Sequence, residues 1–119
     1  MRLFGKKPKL DLHPDIVDRA AALHGGEKLR NLTMTTEQHG LYEGGPKAVV
    51  EYALIDCAKP ETTVGDAKDQ ARGALSALND KYVTKAARTL GESPSMTDKE
   101  LEEFLNELRE FFQSVQALS

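Results

Sequence analysis

The side chains most able to do covalent or metal chemistry in this chain are few and widely spaced. Cys57 is the only cysteine, and His13, His24 and His39 are the only histidines. A thiol beside an imidazole makes a nucleophile, and two histidines three or four residues apart on a helix make half of a metal site. Neither arrangement is written in the spacing. No histidine lies one helical turn from another or from Cys57, and a Cys57–His39 dyad requires the fold to join two separate segments. Glycine-rich phosphate loops, nucleophile elbows and HExxH helices are absent from the sequence. The residues therefore read as a small buried apolar cysteine and as histidines at helix ends or in a loop. No catalytic residue, metal ligand or cofactor is predicted, and the chain is expected not to be an enzyme. A single cysteine also rules out an internal disulfide, which fits a reducing compartment.

Recognition chemistry is better represented than covalent chemistry. Leu101, Phe104, Leu108, Phe111, Val115 and Leu118 alternate three and four apart, with Leu105 and Phe112 widening the stripe. Glu102, Glu103, Glu107, Glu110 and Gln113 fall on the opposite side. Three of the four phenylalanines lie in this segment, and aromatic anchors dominate the energetics of interfaces. Two outcomes are open: the stripe packs on the domain's own core, or it binds a protein partner or a second copy. The second outcome makes Phe104, Leu108, Phe111 and Phe112 the contact residues of a partner site or homodimer. Glu103 and Glu107 then supply charge complementarity at its rim.

A second pattern is electrostatic. The formal charge of −3 divides unevenly: residues 1–9 carry +4, residues 10–65 carry −4, residues 66–91 carry +2 and residues 92–119 carry −5. Arg2, Lys6, Lys7 and Lys9 form a basic arm with Leu3 and Phe4 as an apolar foot. If the segment 64–90 is one helix, Lys81, Lys85 and Arg88 extend a basic side that also holds Lys68 and Arg72. That set defines the alternative function, an anion-directed binder of nucleic acid or a nucleotide. It is the less favoured one, because four arm cations without interleaved aromatics fall short of a nucleic-acid module. The arm can equally serve as a solubilising tail or pair with the acidic helix of another copy. A third concentration of polar groups, Thr35, Thr36, Glu37, Gln38, His39, Tyr42 and Glu43, falls in a loop from Thr33 to Pro46.

These residues need elements to hold them. Pro14 suits a first helical position, Asp15 and Asp18 favour the positive helix end, and Ile16, Val17, Ala20 and Leu23 share a face, which predicts a helix over 14–24. Gly25 is expected to end it in the left-handed conformation, with a further turn over 27–32. The segment 32–37 is β-prone, with Thr33, Thr35 and Thr36 interleaved with Leu32 and Met34. KAVVEYALIDCA fits a helix over 47–58 better than a strand, yet a hairpin across Gly44-Gly45-Pro46 stays open. Thr62 or Thr63 opens a long helix that either reaches Gly91 or breaks at Asn79-Asp80. Thr97 with Glu100 is a full capping box at the start of the last helix.

At 119 residues with 39% hydrophobic and 29% charged, the composition is that of a single globular domain. Residues 1–12 are read as a flexible basic arm and 13–119 as the domain. The expected fold is mainly α, a bundle of three to four helices with a possible hairpin in residues 32–57, and α+β is the alternative. No window has the roughly 20 apolar residues of a membrane span, and the start lacks the apolar run of a secretory signal, so a cytoplasmic location is expected. Together these readings predict a small acidic interaction module, an adaptor, inhibitor or regulator.

Overall fold

The computed structural model describes residues 12–34, 46–79, 84–86 and 97–118. The mainly helical class is correct. Four helices of twelve or more residues and one single turn are joined by a two-stranded clip, in the order α1 (Pro14–Gly25), α2 (Glu27–Arg30), β1 (Leu32–Met34), α3 (Pro46–Cys57), α4 (Val64–Leu78), β2 (Thr84–Ala86) and α5 (Asp98–Gln116).

Each start is set by local chemistry. Pro14 opens α1, and the Asp15 N–H donates to His13 Nδ1 at 3.1 Å, so His13 is a helix cap. The stop differs from expectation. Gly25 stays helical and Gly26 caps in an extended conformation (φ −76°), so no left-handed residue is needed. A side chain at Gly26 would meet the Ala22 carbonyl oxygen at 3.2 Å, which is the tightness that favours glycine there. Thr63 caps α4 by accepting from the Asp66 N–H at 3.1 Å. Thr97 and Glu100 form the reciprocal box that opens α5, with bonds of 3.0 and 3.1 Å.

The helices pack as an up-and-down bundle. Leu12 N–H donates to Pro60 O, while Lys47 Nζ reaches Arg30 O, so α3 runs antiparallel to α1. A six-residue connection turns α3 into α4, where Gly73 lets Val49 Cγ1 come within 3.5 Å of its would-be Cβ. Ala67, Ala71, Ala74 and Ala77 have no exposed surface, and these short side chains allow the close approach of α3 and α5. Then α5 returns antiparallel to α4 and to α1, closing the ring. Its Phe111 and Phe112 rings, 5.2 Å apart and at 68°, sit at the centre of the core. Burying each side chain contributes about 1.5–3 kcal/mol relative to leaving it exposed.

Two middle-region expectations change. Residues 46–57 are helical, so they cannot serve as the second strand of a hairpin over 32–57. Instead β1 pairs antiparallel with β2, in the register Leu32↔Ala86, Thr33↔Lys85 and Met34↔Thr84. The long helix also stops early: Asn79, one of the two residues at which the sequence allows a break into two helices, caps α4. Residues 84–86 then take strand geometry where continued periodicity predicted helix.

Candidate functional site

The stripe on α5 is consumed by the chain itself. Leu108, Phe111, Phe112 and Val115 have no exposed surface, Phe104 keeps 3% and Leu105 7%. A homodimer or partner site formed by Phe104, Leu108, Phe111 and Phe112 as an open apolar face is therefore not what the fold presents. Those side chains fill the space between α5, α4 and α1. What α5 offers to solvent is its acidic side, with Glu102, Glu103, Glu107 and Glu110 all exposed.

The two flanks of α5 are closed differently. Against α4, Arg109 donates to Leu78 O at 2.9 Å and to Asn79 Oδ1 at 3.1 Å, satisfying the end of that helix. At the other end Lys68 Nζ donates to Leu118 O at 2.8 Å, and Gln116 Nε2 donates to Lys68 O at 2.5 Å. Against α1 there is no such stitching among the described residues. Arg19 lays its guanidinium over the Phe111 ring, 5.2 Å from the centroid. Beyond it the helices part, leaving an open groove of 460 Å³.

This groove is the candidate site. Its floor is the buried Leu23 and Phe104, Ala22 and Gly26 line it beside them, and its exposed charged residues are two cations, Arg19 and Lys28, and two anions, Glu27 and Glu107. The volume falls within the range of sites for small ligands or for a few side chains of a peptide. Of the α5 carboxylates Glu107 lines the groove, with Glu103 and Glu110 one turn to either side of it along the helix. Bonds from the Thr97 backbone and hydroxyl, with Lys28 nearby adding a weaker effect, hold the Glu100 carboxyl below its ordinary pKa. Among the described residues Glu103, Glu107 and Glu110 make no ion pair, so their charge is free to act on a ligand.

The predicted basic side of one long helix does not form. Lys85 lies in β2, Lys68 is committed to Leu118 O, and Arg72 pairs with Asp69 at 3.1 Å. Arg2, Lys6, Lys7, Lys9, Lys81 and Arg88 lie outside the described residues, as does the polar loop over 35–45 that includes His39. Cys57 is fully buried, and burial followed by the nearby Asp56 charge pushes its thiol up to about 11. A thiol held neutral in this way is a poor nucleophile. His24 sits exposed in the last turn of α1. Among the described residues no three His, Cys, Asp or Glu side chains converge on a metal position, and no helix is long and apolar enough to cross a membrane.

Of the groove residues, only Phe104 and Glu107 belong to the site read from sequence. Arg19, Ala22, Leu23, Gly26, Glu27 and Lys28 were not singled out as binding residues. The available signal was the pair of small residues Ala22 and Gly26, one turn apart beside the apolar Leu23. Comparisons with protein-family models, with characterised proteins and with solved structures find no match to this chain.

Proposed function

We propose that the protein is a small non-enzymatic interaction module of the cytosol, an adaptor, inhibitor or regulator. It takes a short segment of a partner protein in the groove between α1 and α5. The observation that carries this reading is the combination of an apolar floor, Leu23 and Phe104, with an exposed charged rim on which Glu27 and Glu107 stand with Arg19 and Lys28. An apolar floor supplies desolvation energy, and a charged shoulder supplies orientation and rate. Such a site favours a segment with an apolar side chain flanked by charged groups of both signs.

Affinity capture with three baits tests this reading: the natural chain, Ala22→Trp, which fills the groove from an exposed position, and Glu107→Lys, which inverts its rim. A partner held by the natural chain and lost with both variants, then reconstituted from purified components, is the expected result. Capture unaffected by either variant overturns the groove as the site.

A further inference from the structure

We infer that the groove takes a free short peptide of about three residues, with its carboxylate on Arg19, its ammonium on Glu27 and an apolar side chain over Leu23 and Phe104. The inference rests on the reading of the groove as a binding site and names a small ligand that competes there with the partner segment. Charges of both signs carry it. Arg19, Lys28, Glu27 and Glu107 line one concavity, all four are exposed, and among the described residues none of them is in an ion pair. The set is neutral as a whole, so an ion of either sign meets attraction and repulsion together. A molecule with one charge of each sign at its two ends gains at both, which selects a zwitterion.

Position along the helices sets the length of that molecule. Because α5 runs antiparallel to α1, the Arg19–Phe111 stack marks one end of the seam, and Glu107 stands one turn along α5 from it. Glu27 and Lys28 follow Gly26 at the other end. From Arg19 to the last helical residue, Gly25, α1 rises roughly 9 Å, about the length of three extended residues. The stack also sets the direction. A guanidinium resting over a ring still presents N–H donors at its edge, and their fork matches the two oxygens of a carboxylate. Holding the guanidinium in place beforehand reduces the entropy lost when the ligand binds.

The test titrates the full chain with the tripeptide Ala-Leu-Ala at about pH 6.5, where both peptide ends are charged, and follows the NMR shifts of Leu23 and Phe104. The N-acetylated, C-amidated and doubly blocked forms are titrated in parallel. The expected result is saturable binding of the free peptide, weakened at least about tenfold by blocking either end, the worth of one charge-assisted hydrogen bond. In Arg19→Gln amidation should cost nothing further while acetylation still does, and in Glu27→Gln the reverse should hold. Both residues are exposed, so neither variant removes a core side chain. Equal affinities for all four forms overturn the zwitterion and leave the partner-segment reading standing, since an internal segment has no free ends. Penalties that persist in both variants overturn the assignment to Arg19 and Glu27. Absence of binding by every form at millimolar peptide overturns this inference, while the capture experiment judges the partner segment separately.

Discussion

One helix, α5, meets two neighbours in opposite ways. Toward α4 its apolar residues are sealed beneath hydrogen bonds at both ends, Arg109 to Leu78 and Asn79, and Lys68 to Leu118. Toward α1 a single Arg19–Phe111 stack is followed by a groove. A sealed contact and an open one thus lie on opposite flanks of the same amphipathic surface. The apolar stripe is wider than one neighbouring helix covers. Its α1 flank, around Phe104, is buried as well but borders the groove.

Truncating a phenylalanine on each flank should separate the two roles most strongly. Phe112→Ala, fully buried, is expected to cost about 3–5 kcal/mol in denaturant unfolding. Phe104→Ala, which borders the groove, should fall at or below the low end of that range. Equal losses would mean that the groove is as tightly packed as the sealed flank.

The packing between α3 and α4 supplies a control for sealing, through Cys57. Its thiol pKa is raised from 9.0 to about 11, so the folded state keeps the neutral form after the unfolded chain has ionised. The stabilisation is complete below pH 9.0 and declines as pH climbs toward about 11, by at most about 1.4 kcal/mol per pH unit. Cys57→Ala should flatten that decline in pH-dependent unfolding curves. Reaction of the natural thiol with a maleimide at neutral pH, at the rate of an exposed cysteine, would show that this packing opens.

Smaller effects sharpen the contrast. Arg109→Ala removes the bonds that finish α4 and should cost about 1 kcal/mol, read as a shift of the denaturation midpoint. Ala22→Trp, on the groove side, should change stability by no more than about 0.5 kcal/mol while abolishing peptide binding. A large loss of stability from Ala22→Trp would place that position in the core and not at a binding surface.

The sequence was most legible where a signal is complete within a few residues. Pro14, Thr63 with Asp66, and Thr97 with Glu100 each carry their own hydrogen-bonding partner or fixed dihedral, and each marks a helix start. The α5 stripe was legible as amphipathic, but its destination was not, because the neighbours of Phe104 and Phe111 come from residues about eighty to ninety positions earlier. Periodicity misled beyond Leu78. The spacing of Tyr82, Val83 and Ala86 continues a helical face, yet Ala86 pairs with Leu32. No local pattern announces a partner so distant. The groove was the least legible feature, since it arises from where two helices stop touching.

The β1–β2 clip joins segments far apart in the chain. The turn between α3 and α4 closes a six-residue connection, whereas Met34 and Thr84 close a loop of fifty. Loop-closure entropy makes the larger closure about 2 kcal/mol more costly. The α3–α4 hairpin can therefore assemble before the strands meet. Amide hydrogens in the β1–β2 ladder should exchange with solvent well before those at the centre of α5, marking a local opening that leaves the bundle intact.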